Sequence, residues 1–245
     1  MNIAKKIINK ITGYWVHKLS NLPVGADLFV DIHQKINYPL LSVLFDVGAN
    51  VGQTRRYFRF HLPEAKIYSF EPVLATYKQL KNSAAGDTNC VLENMALGNE
   101  AGEKIIRLFD DNLTVLNSLR DDVMNNAANA KEEKIHIETL DRYCSANNIK
   151  KIDLLKIDTE GFEINVLKGA EQMLQSGNIS FVYCETGFQQ SNQRNTYFPM
   201  LTEYLAQRNY FFFGLYQMDY HDWKRGNGLG NALFIHKAVF QQEGI

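Results

Sequence analysis

The sequence predicts an α/β fold with a mostly parallel sheet, and three observations indicate it. From Ser42 onward, short apolar runs alternate with longer amphipathic ones, which is the pattern of β-α repeats. The first apolar run ends in a glycine-rich turn, Gly48 to Gly52, directly before a charged helical segment. Acidic or amide side chains stand where several predicted strands end, and parallel sheets bind their ligands at that edge.

Seven strands and four helices account for this pattern. The strands are predicted near residues 42–47, 66–70, 90–96, 152–158, 180–186, 210–216 and 232–236. The helices are predicted near residues 53–61, 73–83, 163–176 and 196–208. Pro72 suits the first turn of the second helix, where a missing N–H group costs nothing, and Gly177 suits the end of the third.

The chain departs from this repeat between Gly98 and Glu138. Two further strands are predicted there from the runs KIIRLF and KIHIETL, which a polar stretch separates. We therefore expect an inserted loop or hairpin over the edge of the sheet. Asn117, Ser118 and Arg120 lie in this insertion, and they either close over a ligand or belong to a surface loop, which is the commoner case.

The composition limits the domain organisation and the partners. The 245 residues are 45% hydrophobic and 22% charged, with a formal net charge of -1, which is typical of globular proteins. We expect one domain at residues 41–245, preceded by a helical extension at residues 1–40. Such a small net charge gives no general attraction for a polyanion, so no nucleic-acid partner is predicted.

The extension begins with an amphipathic pattern. Ile3, Ile7 and Ile11 recur at helical spacing, and four lysines lie elsewhere around the predicted helix. Such a helix is suited to an anionic membrane surface. Docking of its apolar stripe on the domain or on a second subunit is the commoner use, and it is the interpretation that we favour.

The cysteines and the apolar runs indicate a cytoplasmic location. Cys90, Cys144 and Cys184 are far apart in the chain, stand in apolar surroundings and lack the spacing of a zinc site. They are expected to be buried thiols in a reducing compartment. No apolar run reaches the roughly 18 residues that a membrane span needs, and the first residues lack the apolar core of a signal peptide.

The glycine turn excludes two kinds of nucleotide site. Its pattern is G-x-x-x-G, whereas a dinucleotide site needs G-x-G-x-x-G, and no Gly-Lys-Ser/Thr follows as in a P-loop. A nicotinamide-dependent reductase is therefore disfavoured. Asp46 precedes Gly48 by two residues, and a carboxylate at that point suits a cationic ligand or an amino group rather than a pyrophosphate.

A second acid follows the second strand. Glu71 comes nineteen positions after Gly52, which is close to the spacing at which an acid binds both ribose hydroxyls in a β-α-β unit. The alternative for a lone acid here is a helix cap or a solvated side chain. Together with Asp46, Glu71 favours a nucleoside ligand that carries a positive charge and no pyrophosphate, which describes S-adenosylmethionine.

Four segments resemble one known family. The segments FDVGANVGQT, SFEP, NMALGN and LLKIDTEGFEINVLKGA are similar to the FkbM family of S-adenosylmethionine-dependent methyltransferases, which O-methylate hydroxyls of sugars, polyketides and related products. The resemblance runs from about Ser42 to Glu185. It implies the class I methyltransferase fold, a Rossmann-like, seven-stranded, mostly parallel sheet with helices on both faces and an antiparallel last strand, for which NALFIHK is suited.

The resemblance also implies a set of cofactor contacts. Four residues of the turn would line the methionine end of the cofactor: Asp46, Gly48, Asn50 and Gly52. Glu71 would bind the ribose, while Asn94 and Ala96 would lie near the adenine. Asp158 is also predicted to contact the cofactor. Asn94 has an alternative role, because an amide at a strand end also bonds neighbouring loops.

The segment KIDTEGFE supplies candidate catalytic residues. Methyl transfer to a hydroxyl needs a group that takes the proton, and Asp158 or Glu160 is suited to this role. Their carboxylates are equally suited to a divalent ion such as magnesium or manganese, so a metal is left undetermined. Asp158 is the candidate that we favour, since Glu163 suits the N-terminus of a helix and Glu160 its cap. Glu185, after the fifth strand, is a secondary candidate for contact with substrate hydroxyls.

The remaining candidates carry weaker indications. His33 and His221 are possible general bases, but a histidine without a partner is more often structural. Tyr220, His221 and Trp223 lie in a predicted loop and are suited to contact the substrate.

The sequence thus predicts an S-adenosylmethionine-dependent O-methyltransferase that acts on a sugar, a glycan or a related natural product. N-methylation of an amino sugar or a small amine is the alternative, because the acids do not distinguish oxygen from nitrogen acceptors. A non-catalytic homologue that only binds the cofactor is a further alternative, and Asp158 argues against it.

Overall fold

The computed structural model describes residues 3–13, 18–108, 131–190, 195–219 and 228–241. The chain divides into two compact units, Met1–Leu40 and Leu41–Ile245. Among the residues so described, no helix is long and apolar enough to cross a membrane.

The first unit contains short helices. Helix α1 spans Ile3–Thr12, a 3-10 turn spans Leu19–Asn21, and helix α2 (Leu28–Val30) continues as a π-helix over Asp31–Lys35. The carboxylate of Asp27 accepts a hydrogen bond from the N–H of Val30, which caps α2. His33 lies in the π-helix, and its Nδ1 is 3.3 Å from the carbonyl oxygen of Tyr38. This contact gives His33 a structural role.

The second unit is organised by a seven-stranded sheet. Its strands are β1 (Val43–Val47), β2 (Lys66–Phe70), β3 (Cys90–Glu93), β7 (Ile152–Ile157), β8 (Ile179–Gly187), β9 (Tyr210–Asp219) and β10 (Leu229–His236). The order across the sheet is β3-β2-β1-β7-β8-β10-β9. Only β10 runs antiparallel to its neighbours β8 and β9 in this sheet. The predicted seven-stranded sheet with an antiparallel last strand is confirmed.

A second, three-stranded sheet corresponds to the predicted insertion. It contains β4 (Ala96–Leu97), β5 (Gly102–Leu108) and β6 (Lys131–Glu138) in the order β4-β6-β5. The pairing of β5 with β6 is antiparallel, so the two extra strands are confirmed as a hairpin. The residues between them, with Asn117, Ser118 and Arg120, lie outside the described residues.

The predicted strand at residues 90–96 is wrong in its extent, because the chain turns after β3. The side-chain amide of Asn94 donates hydrogen bonds to the carbonyl oxygens of Glu71 (2.9 Å) and Pro72 (2.8 Å). These bonds hold the turn against the end of β2. Ala96 then pairs with Ile137 of β6 in the second sheet.

Seven helices are described in the second unit. They are α3 (Gln53–His61), α4 (Leu74–Ser83), α5 (Leu140–Ala146), α6 (Glu163–Lys168), α7 (Glu171–Gln175), α8 (Phe198–Ala206) and α9 (Ala238–Gln241). The single helix predicted at residues 163–176 is wrong, since α6 and α7 are separate. The carbonyl of Gly169 accepts from the N–H of Asp141 (2.9 Å), and the Asp141 carboxylate caps α7 at the N–H groups of Gln172 and Met173.

Both faces of the sheet are apolar at its centre. On one face, Phe45 and Leu155 belong to a buried cluster with Tyr143 of α5 and Leu201 of α8. The opposite face contributes Leu44, which is completely buried, as are the side chains of Phe58 in α3 and Leu80 in α4. Burial on both faces fixes the carboxyl ends of β1 and β7, which is where a ligand is expected.

Cys90, Cys144 and Cys184 are free thiols. Cys144 and Cys184 are buried and Cys90 is partly buried. Burial raises the pKa of the Cys144 thiol to about 12 and that of Cys184 well above its ordinary value. Both thiols are therefore protonated groups of the core rather than nucleophiles.

Candidate active site

A cavity of about 360 Å³ opens at the carboxyl ends of the central strands. This volume lies within the range of about 300 to 1,000 Å³ that is usual for small-molecule sites. Seven of the predicted site residues line it: Gly48, Asn50, Glu71, Ala96, Asp158, Glu160 and Glu185. Asp46, Gly52 and Asn94 are not among the residues that line it. Their predicted cofactor contacts stay predictions.

The turn after β1 touches the loop after β7 through its backbone. Gly48 has a φ of +81°, and a Cβ atom at this position would lie 1.8 Å from the carbonyl oxygen of Asp158. Only glycine permits both the left-handed backbone and this approach. Gly52 is also left-handed, with a φ of +91°, and a Cβ there would lie 2.8 Å from Oγ of Ser83 on α4.

Glu71 connects the ends of β1 and β2. Its Oε2 accepts from the N–H of Asn50 and its Oε1 from the N–H of Val73, both at 3.0 Å. Burial raises the pKa of this carboxyl to about 7, although the two backbone bonds oppose the change. A carboxylate has about four acceptor positions, so Glu71 accepts from both N–H groups and still has positions for the hydroxyls of a ribose.

Asp46 lies in β1 as a completely buried acid. Neither carboxylate oxygen has a hydrogen-bond partner in the structure. Burial raises the pKa of Asp46 to about 7, while the ammonium of Lys156 opposes that rise and the carboxylate of Asp158 adds to it. Lys156 is the residue opposite Asp46 on β7. An ionised group without a partner is costly in such surroundings, which indicates a place that favours an added positive charge.

Three carboxyl groups meet at one end of the cavity. Oxygens of Asp158, Glu160 and Glu185 all lie within 4.8 Å of one another. Oδ2 of Asp158 accepts from Nζ of Lys156 at 2.9 Å, and the lysine side chain is only 4% exposed while that of Asp158 is 37% exposed. Burial lowers the pKa of Lys156, but Asp158, Glu185 and Asp46 together raise it above its ordinary value. The lysine is therefore an ammonium that forms an ion pair with Asp158.

Glu185 is a largely buried acid of this group of three, and its carboxyl group is held by a neighbouring amide. Burial first, and then the charge of Asp158, raises the pKa of Glu185 well above its ordinary value. The side-chain amide of Asn195 donates to Oε2 of Glu185 at 2.6 Å, which fixes the carboxyl group. The cavity thus contains a carboxylate that is paired with an ammonium and a second carboxyl group whose pKa burial raises, and such a difference in surroundings suits acid and base roles.

Glu163 holds the loop that carries Asp158 and Glu160. Its side chain is completely buried, and Oε1 accepts from the N–H groups of Thr159 (2.9 Å) and Gly161 (3.0 Å). Its Oε2 accepts from the hydroxyl of Thr196. The expectation that Glu160 caps α6 is wrong, because Phe162 occupies the N-cap position and Glu160 has a φ of +52° in the loop. Glu163 acts in this loop as well as at the helix terminus.

Replacing Glu163 by glutamine is expected to lower kcat by about tenfold and to leave cofactor affinity unchanged, because the loop shifts when one hydrogen bond is lost. An amide cannot accept at both ends, so the bonds to the loop N–H groups and to Thr196 no longer coexist. Steady-state kinetics and calorimetric titration with S-adenosylhomocysteine check this. Glu171→Gln is the matched control, since Glu171 begins α7 and bonds Tyr204 and Arg208. An unchanged kcat in Glu163→Gln would contradict the role.

Sequence reasoning missed several residues of this site. Lys156 and Asn195 hold the two acids, while Gln53 and Thr54 at the start of α3 line the cavity. Lys156 could have been found from the sequence, because it is a charged residue within the apolar run LLKI. Asn195 could not, because its contact with Glu185 forms only in the folded chain. Tyr220, His221 and Trp223 lie outside the part of the chain that the structure describes.

Comparison with known proteins agrees with this geometry. A family model described as the methyltransferase FkbM domain matches residues 46–212, from the end of β1 into β9. The chain belongs to the FkbM methyltransferase family. The resemblance inferred from the sequence is confirmed, and methyl transfer is the class of activity that the family membership supports.

Two methyltransferases that resemble the chain are distant from it in sequence. The methyltransferase sdnD of Sordaria araneosa is 26% identical over 193 residues, which cover 67% of this chain and 74% of that protein. The hexuronic acid methyltransferase AglP of Haloferax volcanii is 26% identical over 149 residues, which cover 60% of this chain and 57% of that protein.

Solved structures also align with this FkbM chain. An rRNA methylase from Streptococcus thermophilus aligns with a TM-score of 0.46 at 12% identity, over 80% of this chain and 87% of that chain. TrmK of M. capricolum in complex with S-adenosylhomocysteine aligns with a TM-score of 0.43 at 11% identity, over 83% of this chain and 66% of that chain.

Proposed function

We propose that the protein transfers a methyl group from S-adenosylmethionine to a hydroxyl oxygen of a sugar, a glycan or a related natural product. The observation that carries the proposal is the pair formed by Asp158 and Lys156 at the wall of a cavity that Glu71 also lines. One end of the cavity is suited to a nucleoside, and the other presents a fixed carboxylate to an acceptor.

The residues present fit S-adenosylmethionine. Glu71 would accept hydrogen bonds from the ribose hydroxyls through positions that its backbone partners leave open. Asp46 is a buried acid two residues before Gly48, its oxygens have no hydrogen-bond partner, and a cationic ligand would balance its charge. S-adenosylmethionine, when bound, supplies an electrophilic methyl group that is attached to a positively charged sulfur.

The acceptor side would work as an acid and base pair. Asp158 lines the cavity and would take the proton of the acceptor hydroxyl. Lys156 would keep Asp158 in position and prevent the carboxylate from turning away. Glu185, whose pKa burial raises and whose carboxyl group Asn195 fixes, would donate a hydrogen bond to a second oxygen of the acceptor when it carries its proton. These roles need a polar acceptor, as a carbohydrate is, and AglP is named as a hexuronic acid methyltransferase.

Replacing Glu71 by glutamine is expected to weaken S-adenosylhomocysteine binding about tenfold, because one acceptor oxygen becomes a donor that faces the ribose hydroxyls. Calorimetric titration measures this loss, with titration of NAD in parallel. Glu133→Gln is a control for the charge change, since Glu133 bonds the nearby N–H of Leu74 and does not line the cavity. Tight binding of NAD without binding of S-adenosylhomocysteine would overturn the proposal.

A methyl-transfer screen tests the acceptor. Labelled S-adenosylmethionine is offered with neutral sugars, amino sugars and hydroxylated natural products, with and without EDTA. Label on an oxygen supports the proposal, and label only on a nitrogen replaces it by N-methylation. Cofactor binding without any labelled product would indicate a non-catalytic homologue. A loss of activity in EDTA would show that a divalent ion takes part.

A further inference from the structure

Helix α1 presents an apolar side that the structure leaves exposed. Ile7, Ile8 and Ile11 are 52%, 43% and 78% exposed. At 100° per residue these three positions fall within one arc of about 100°. Three exposed isoleucines on one side of a ten-residue helix are unusual for a surface that faces only water.

The charge around this side has a single sign. Residues 1–26 contain four lysines and neither aspartate nor glutamate, which leaves a net charge of -5 for the other 219 residues. Lys10 is exposed and lies beside Ile7 on the helix surface. Two copies of α1 that paired through their apolar sides would bring lysines together, and the pairing would be opposed by like charges. A negatively charged surface has the complementary chemistry.

We propose that α1 binds an anionic membrane surface, with the isoleucines in the boundary between headgroups and acyl chains and the lysines against the lipid phosphates. A helix of this kind lies in the plane of the interface, and its affinity combines buried apolar area with attraction to acidic lipids. The occupant is a lipid surface rather than a second copy. The proposal does not depend on the identity of the methyl acceptor.

Vesicle co-sedimentation of the full chain tests this. The vesicles are phosphatidylcholine alone or with about 30% phosphatidylglycerol, at ionic strengths of about 0.05 M and about 0.5 M. We expect binding to the acidic vesicles only, and weaker binding at high salt. Ile11→Asp is expected to reduce the bound fraction at least tenfold, and Lys10→Gln is expected to weaken binding about fivefold.

The matched control is Asn9→Asp, which makes the same change of charge on the opposite side of the same helix. It is expected to weaken binding far less than Ile11→Asp. S-adenosylhomocysteine affinity and thermal unfolding show that each variant is folded. Absence of the wild type from acidic vesicle pellets at low salt would overturn the proposal. So would a wild-type dimer in sedimentation velocity that Ile11→Asp converts to a monomer, because α1 would then bind a second copy.

Discussion

Replacing Asp158 by asparagine is expected to lower kcat by about a thousandfold, while S-adenosylhomocysteine binds within about threefold of its wild-type affinity. The amide cannot take a proton from the acceptor hydroxyl, but it occupies the same volume. Cofactor binding is expected to depend on Glu71 and on the turn after β1, and that turn approaches residue 158 through the backbone carbonyl, which the substitution keeps. Steady-state kinetics on an acceptor found in the screen and calorimetric titration measure the two quantities.

The substitution also affects Lys156, and the experiment must separate this effect. Lys156 is 4% exposed and loses its carboxylate partner in Asp158→Asn, which is expected to lower the free energy of unfolding by about 1 kcal/mol, since Asp158 is 37% exposed and Glu185 and Asp46 still act on the ammonium. The double variant Asp158→Asn, Lys156→Met removes the unpaired ammonium and is expected to regain most of that stability. Its kcat should stay low, because the proton acceptor is still missing.

Three outcomes would contradict the role of Asp158. Recovery of kcat in the double variant would show that the lysine, and not the missing base, caused the loss. A kcat within tenfold of the wild type in Asp158→Asn would show that another group takes the proton. A larger loss in Glu160→Gln than in Asp158→Asn would move the role to Glu160, which lines the same end of the cavity.

The parts of the fold that follow local pattern could be predicted from the sequence. The alternation of apolar and amphipathic runs gave the seven strands, and strand-end acids gave Glu71, Asp158 and Glu185 at one cavity. The break between α6 and α7 could not be predicted in this way. At this break the backbone of Gly98 packs directly against Gly169, where a Cβ atom would lie 1.9 Å from the Gly98 carbonyl oxygen.

The role of Glu163 in holding the loop that carries Asp158 and Glu160 could not be predicted either, because it also depends on contacts between distant parts of the chain. Glu163 read alone is a favourable charge at the start of a helix, and only the folded chain brings Thr196 to its second oxygen. The carbonyl of Thr196 accepts from the N–H of Gly187 and the hydroxyl of Thr186, which joins this loop to the end of β8. Contacts between residues that are 33 positions apart in sequence leave no local pattern.

The buried acids at the cavity suggest that stability and function are opposed at this site. Asp46, Glu71 and Glu185 all have pKa values that are raised by burial, so the folded protein holds their protons more tightly than the unfolded chain does. Their contribution to stability is complete below the unfolded pKa values and is lost as the pH rises through the folded ones. A bound cation would reverse this loss, which gives the ligand a role in stabilising the fold.

Asp46→Asn is therefore expected to stabilise the ligand-free protein by about 2 kcal/mol at pH 8. Burial raises the pKa of Asp46 from 3.8 to about 7, so ionisation of this group weakens the wild-type fold between those two values. The variant has no such group, and its advantage should be absent below pH 3.8 and complete above pH 7. The gain is smaller than the full pKa change implies, because the amide stays buried without partners. Urea unfolding at several pH values measures it.

The same substitution is expected to weaken binding of S-adenosylmethionine by about thirtyfold, because it removes a buried negative charge next to Val47 and Gly48, which line the cavity. Asp153→Asn is the matched control. Asp153 is buried near the start of β7 and accepts hydrogen bonds from the N–H groups of Ser42 and Val43, so the same change should destabilise the fold and leave affinity unchanged. If Asp46→Asn is no more stable than the wild type at pH 8, the acid is paired in solution. If Asp46→Asn is more stable but binds the cofactor with wild-type affinity, the charge of Asp46 does not contribute to cofactor binding.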